Sequence, residues 1–158
     1  MPLAISAEEV VVDGIIYNLT SNNGTFIAEV MPFDYKGYIE IPESVKQDGI
    51  DYNVIYIGEK AFYNCSKLVS VGLPETLDSI GSKAFYGCSS MTSITIPDKV
   101  RSIGNDCFQN CTALTSIVLS QNLITIGSSA FSNCSSLTGI DIPNSVKSIG
   151  HNAFQSCI

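Results

Sequence analysis

The chain has 158 residues, of which 45% are hydrophobic and only 15% charged, a composition too apolar for a disordered chain and a length suited to one domain. It contains no run of about 18 apolar residues, which excludes a membrane-spanning helix. Fifteen acids against eight bases give a net charge of −7, the wrong sign for a protein that binds a phosphate backbone.

The first nine residues, Met1–Glu9, have neither a basic start nor an apolar stretch, so they do not read as a signal peptide. A mature chain whose leader has been removed and a cytoplasmic protein fit that text equally. Val10-Val11-Val12, Asp13-Gly14 and Ile15-Ile16-Tyr17 form a hairpin signature, because Asp-Gly suits a tight two-residue turn. Ile15–Leu19 and Thr25–Val30 make a second candidate pair across Ser21-Asn22-Asn23-Gly24. Further on, Ile39, Ile41, Pro42 and Val45 fall into the phases of a repeat that dominates the rest of the chain. From Pro42 to Ile57 is 15 residues where the later copies have 6, and the nine extra residues around Gln47–Asp51 read as an inserted hairpin tip. Residues 1–53 are therefore an N-terminal β cap containing an atypical first strand. About 50 residues would be marginal as a separate core, and an atypical terminal repeat is what closes the end of a stacked array.

The repeat is counted out by cysteine. Cys65, Cys88, Cys111, Cys134 and Cys157 stand 23 residues apart, and every other phase follows them. Ile-Gly recurs at Ile57-Gly58, Ile80-Gly81, Ile103-Gly104, Ile126-Gly127 and Ile149-Gly150. The pairs Ala61-Phe62, Ala84-Phe85, Cys107-Phe108, Ala130-Phe131 and Ala153-Phe154 come next. Leu68, Met91, Leu114 and Leu137 open an apolar run that continues through Val71, Ile94, Ile117 and Ile140 and ends at or near Pro74, Pro97 and Pro143. Spacing by two with β-branched residues predicts a strand at Leu68–Leu73 and its equivalents, and proline ends it because it cannot donate a ladder bond. V-x-x-I suits a short second run on another side of the coil. The glycine after it serves either a positive φ or close backbone packing. A-F-x-x-C has near-helical spacing but spans only about one turn, too short for an independent helix.

The unit L-x-x-I-x-I-P-x-x-V-x-x-I-G-x-x-A-F-x-x-C resembles the BspA-like class of leucine-rich repeats, and covers residues 54–158. Cys107 in place of Ala, Ser120 in place of Pro and Met91 in place of Leu are the departures. The resemblance implies an α/β repeat solenoid, right-handed, with a parallel β-sheet on its concave face, short helical turns on its convex side and the β-hairpin cap in front. It further implies a non-enzymatic module of a secreted or cell-surface bacterial protein, acting in adhesion or in binding host or extracellular-matrix proteins, with no cofactor.

The residues themselves point the same way. Stacked cysteines at strand spacing lie within disulfide reach, but five in one column cannot all pair, and a free thiol packs as a small hydrophobe. Cys107 and Cys111 lack the partners for four-coordinate zinc. His151, the sole histidine, occupies the phase of Glu59, Ser82, Asn105 and Ser128, a solvated position with no nucleophile to serve. The sequons at Asn18 and Asn23, and three more that fall out of the Asn-Cys-Ser/Thr repeat, carry no function of their own. What remains is a surface. Ser70, Thr92, Ser93, Thr95, Thr115, Ser116, Val118, Thr138 and Asp141 fall at outward strand positions, a hydroxyl-rich, nearly uncharged column suited to hydrogen bonding with a protein partner. The same column also reads as a solvated sheet face of a structural spacer. Phe33, Tyr35, Tyr38, Tyr52 and Tyr56 form a second aromatic group near the cap. At Ile158 a further strand would be required, supplied by a longer array or by edge-to-edge self-association.

Overall fold

The structure is a computed structural model in which residues 6–157 are described; the reading of Met1–Glu9 falls partly outside them, and that of Ile158 wholly so. Three strands open the chain: β1 (Ser6–Val12), β2 (Ile15–Asn22) and β3 (Thr25–Val30). They form an antiparallel meander in which Val12 faces Ile15 and Asn22 faces Thr25. Both connections are two-residue turns with left-handed backbone, Asp13 (φ 49°) with Gly14 (79°) and Asn23 (49°) with Gly24 (81°), the geometry Asp-Gly and Asn-Gly favour. The second turn is thus tighter than the four residues expected, and β2 runs on to Asn22.

After β4 (Gly37–Glu40) comes the predicted insertion, a hairpin of β5 (Ser44–Gln47) and β6 (Ile50–Ile57) around Asp48-Gly49. Here the topology changes from antiparallel to stacked. β3 pairs in parallel with β6, Val30 beside Ile57, and β4 pairs in parallel with β7 (Leu68–Gly72), Ile39 beside Val71. The cap therefore supplies one strand to each side of the coil that follows.

The coils then repeat as a right-handed solenoid of about five turns. One side carries β8 (Ser79–Ile80), β10 (Ser102–Ile103), β12 (Thr125–Ile126) and β13 (Ser148–Ile149), which extend the main sheet in the order β1-β2-β3-β6-β8-β10-β12-β13. This sheet runs through the Ile-Gly phase and not through the longer apolar run where the parallel sheet was expected. On that other side the strands pair only by twos, β4 with β7 and β9 (Ser93–Thr95) with β11 (Ser116–Val118). Among the described residues no ladder joins β7 to β9.

The glycine of each Ile-Gly is required by close approach, because no positive φ occurs at these positions. A Cβ built on Gly81 would lie 2.6 Å from the Glu59 nitrogen, and one on Gly127 2.6 Å from the Asn105 nitrogen. The preceding coil's backbone occupies the space a side chain would need.

The expected short helical turns are absent: no described residue is helical. The A-F-x-x-C segment is instead a chain of tight turns, with Ala61, Tyr63 and Cys65 N–H each donating to the carbonyl three residues back. Two residues per coil sit in the left-handed region, Lys60 (φ 59°) and Asn64 (57°), then Lys83 and Gly87, Asp106 and Asn110, and so on. Each interrupts helix propagation, since a left-handed residue cannot continue a right-handed helix. It also turns alternate N–H groups out of the coil. Lys60, Phe62 and Asn64 donate to Ser82, Ala84 and Tyr86 carbonyls of the next coil at 2.7–3.1 Å, and the pattern repeats to Ser129, Phe131 and Asn133. Stacking bonds replace the intrahelical ones.

The core is a set of columns. Phe62, Phe85, Phe108, Phe131 and Phe154 stack at centroid separations of 4.9–5.4 Å and within 4° of parallel. Tyr35 closes the column at the cap end, 4.9 Å from Phe62; its hydroxyl donates to the Met31 carbonyl and accepts from Ile16 N–H. Ser120, standing where other coils have proline, is fully buried. Its Oγ donates to the Asp98 carbonyl and accepts from Asn122 N–H, so a polar network replaces the proline ring. At the C-terminal end of the stack Ile142 and Ile149 are exposed and Phe154 only partly covered.

Candidate protein-binding face

The apolar run of each coil alternates in and out. Val71, Ile94 and Ile117 are buried, which leaves their neighbours facing solvent. In β9 Ser93 and Thr95 are exposed, and they sit beside Ser116 and Val118 of β11. Thr92 and Thr115 precede these strands; the Thr92 carbonyl accepts both Thr115 N–H at 2.9 Å and Thr115 Oγ1 at 3.1 Å. Thr138 and Asp141 are exposed but lie outside any strand, while Ser70 in β7 is half-buried. The structure therefore brings Ser70, Ser93, Thr95, Ser116 and Val118 onto paired strands, with Thr92 and Thr115 bonded to each other just ahead of β9 and β11. Thr138 and Asp141 continue their phases in the final coil without ladder support.

Two residues of the same face come from the cap. Tyr38 pairs with Ser70 and Glu40 with Gly72. Tyr38 is 81% exposed, the largest side chain offered by this column. The Glu40 carboxylate lies over Gly72, in the space a Cβ there would enter. Placing Ile39 and Ile41 in the repeat phases already implies that positions 38 and 40 face outward; the sequence reading grouped Tyr38 with the cap aromatics instead. Where the ladder is interrupted between β7 and β9, a groove of about 300 Å³ opens, lined by Ser70, Gly72, Glu75, Ser93, Thr95 and Pro97. Its walls carry hydroxyls and one carboxylate.

The remaining aromatics divide. Tyr35 is buried and seals the core, and Tyr52 packs edge-on against Phe26 at 5.4 Å. Tyr56 is half-buried. Phe33 stays 56% exposed, its ring edge-on to Tyr35 with centroids 5.5 Å apart.

The cysteines belong to the interior. All six thiols are free, and five are buried. Cys88, Cys111, Cys134 and Cys157 each donate Sγ–H to the carbonyl of Phe62, Phe85, Phe108 and Phe131 in the preceding coil at 3.1 Å. Cys65 does the same to Phe33 at 3.2 Å, so the cap imitates a repeat. Burial disfavours the thiolate and pushes Cys107 and Cys134 up to about 12, with Cys65, Cys88, Cys111 and Cys157 raised for the same reason. A nucleophilic cysteine needs the opposite shift. His151 is exposed, as expected of its phase. Among the described residues no cluster of His, Cys, Asp or Glu could hold a metal ion, and no helix is long and apolar enough to cross a membrane.

With this geometry in view, a family model described as the BspA type leucine rich repeat region matches residues 38–158 in six copies. The chain belongs to this family. Among solved structures it is similar to a leucine-rich repeat protein from Bacteroides ovatus, at 38% identity and a TM-score of 0.82, covering 92% of this chain and 38% of that one. A leucine-rich repeat protein from T. pallidum matches at 36% identity and a TM-score of 0.80, with 95% of this chain and 68% of that one covered. A leucine rich cell surface protein from Faecalibacterium prausnitzii shares the fold at 24% identity and a TM-score of 0.56, covering 96% of this chain and 53% of that one. This BspA-type chain thus spans well under half the length of the Bacteroides ovatus protein. A search of curated proteins finds no match.

Proposed function

We propose that this chain is a non-enzymatic protein-binding segment of a bacterial secreted or cell-surface leucine-rich-repeat protein. The exposed hydroxyl face carries the reading. Threonine and serine at fixed spacing stand over fully packed Val71, Ile94 and Ile117, so a partner meets a preorganised surface and little ordering entropy is lost. Tyr38 offers an amphipathic anchor at one end, of the kind enriched at interfaces. The BspA-type family and the surface description of the Faecalibacterium prausnitzii protein support the localisation. The raised pKa values fall on core thiols and tyrosines, none of which lines the groove between β7 and β9.

The small side chains that this face carries beyond Tyr38 and Glu40 favour a second reading, a structural spacer within a longer surface protein. One experiment separates the two. The whole chain is passed over immobilised extracellular-matrix proteins, beside a variant carrying Thr92, Thr95, Thr115 and Thr138→Lys. Specific binding lost in the variant supports the face; binding that survives the four lysines refutes it, and no binding to any matrix protein favours the spacer.

A further inference from the structure

A second feature of the surface lies apart from the hydroxyl face. Where the turn side of the first coil meets the cap, a cavity of about 540 Å³ is lined by Pro32, Phe33, Asp34, Glu59, Lys60 and Tyr63. Its lining sets two aromatic rings beside two carboxylates and an ammonium. Tyr63 stacks on Tyr86 at 4.9 Å and 16° from parallel, which occupies one face of the ring. Tyr86 takes no part in the cavity, whereas Pro32, Phe33 and Asp34 of the cap do, so the cavity adjoins Tyr63 from the cap side. Phe33 and Tyr63 are 56% and 41% exposed. The cavity leaves room for a flat group beside these two exposed rings.

The rim decides which flat group. Asp34 and Glu59 supply two carboxylates and Lys60 one ammonium. Asp34 is held by Lys36 at 3.0 Å and Glu59 by Lys60 at 3.9 Å, exposed pairs of the kind that hold their partners weakly. A third carboxylate, Glu29, lies beside Gly58, next to Glu59. The whole chain carries −7, which draws cations toward it. A guanidinium is planar, stacks on aromatic faces and forms two parallel hydrogen bonds to a carboxylate. We infer that this cavity is a subsite for an arginine side chain of a partner protein, its guanidinium stacked on Tyr63 and bonded to Asp34 or Glu59.

The site is distinct from the hydroxyl face and does not depend on it. N-acetyl-arginine amide titrated into the whole chain should produce saturable NMR shifts at the Tyr63 and Phe33 rings. N-acetyl-citrulline amide, of the same shape without the charge, should bind roughly tenfold more weakly or worse. The repeat itself supplies variants that keep the fold. Tyr63→Gln copies Gln109 and Gln155 at the same phase and should abolish the shifts. Lys60→Asn copies Asn152, which has the same left-handed backbone, and should tighten binding by removing a competing ammonium. Equal binding of citrulline, weaker binding by Lys60→Asn, or saturable shifts with glucose and none with the arginine probe would each overturn the assignment. The four-lysine variant of the hydroxyl face should leave the titration unchanged, so the two sites fail or succeed separately.

Discussion

The same substitution at two glycines should have opposite effects. Gly127 follows Ile126 in the main sheet, and a Cβ there would lie 2.6 Å from both the Asn105 nitrogen and the Gly104 carbonyl carbon. Those atoms are backbone of the preceding coil, held by Gly127 N–H donating to the Ile103 carbonyl at 2.9 Å. They cannot retreat without lengthening bonds along the sheet. Gly139 lies on the outward face with nothing within 4 Å of a built Cβ and no positive φ. Alanine restricts the unfolded chain at either position and alone would stabilise by about 0.4–1 kcal/mol. At Gly139 that is the whole effect. At Gly127 the overlap opposes it, and overpacking costs about 1–3 kcal/mol; since the clash is with two backbone atoms at once, the upper part of that range applies. Gly127→Ala should therefore lose about 2 kcal/mol net, or roughly 4–8 °C in Tm for a chain of this size, while Gly139→Ala should gain up to a few degrees. Urea and thermal unfolding of the two variants beside the parent would measure both. Equal shifts of the same sign would refute the argument that coil spacing, not turn conformation, dictates the Ile-Gly glycine.

Two further outcomes follow from the core columns. Phe108, stacked at 5.2 and 5.4 Å on its two neighbours and fully buried, should cost about 3–5 kcal/mol on truncation to alanine. Phe154→Ala, at the partly open end, should cost clearly less; a near-neutral Phe108→Ala would show that the column is not core. The thiols set an alkaline limit. An unfolded cysteine ionises near 9 and folded Cys107 near 12, so above pH 9 the unfolded state has lost a proton that the folded state keeps. Stability is then full below pH 9 and falls as pH rises toward 12, by up to about 1.4 kcal/mol per pH unit for each such thiol. Thermal melts from pH 8 to 11 should show this slope. Cys107→Ala, which restores the residue of the other four coils, should reduce it by one proton, and an unchanged slope would contradict the assignment.

Much of the fold was legible because each coil repeats the same local chemistry. Asp48-Gly49 announced its hairpin, and nine surplus residues located it. Ile39 in the phase of Val71 foretold the parallel pairing of β4 with β7. The helical turns were misjudged for a definable reason. A-F-x-x-C places apolar groups at helical intervals, but the left-handed positions two residues after each Ile-Gly glycine carry Lys60, Lys83, Asp106, Ser129 and Asn152. These share no side-chain type, because what they satisfy is a demand of the backbone to reach the next coil. The two-by-two pairing on the hydroxyl face was equally hidden, since Ser70, Ser93 and Ser116 occupy one phase whether or not their strands are bonded. Alternation accounts for the exposure of Ser93, Thr95, Ser116 and Val118 around Ile94 and Ile117, whereas the cavity at Phe33 and Tyr63 depends on how the cap meets the first coil.

That division also indicates where a BspA-type chain is free to acquire specificity. In each coil the glycine is fixed by the backbone beside it, the Phe by its column, the Cys by the carbonyl it bonds, and the left-handed pair by the stacking bonds. Loss of the glycine, the Phe or the Cys damages every neighbouring coil, whereas the left-handed pair accepts any side chain that its backbone conformation allows. The positions without such duties are the outward strand residues and the phase of Tyr63. Large exposed side chains at those positions therefore have no structural cause to be large. Tyr38 on the hydroxyl face and Tyr63 at the cavity are such residues, and both lie in or next to the cap, with Val118 a smaller exposed apolar group in a later coil. The later coils offer mostly Ser, Thr and Gln at the equivalent places. The proposed recognition should accordingly centre on the junction of cap and first coil, with the later coils setting the reach and rigidity of the surface behind it.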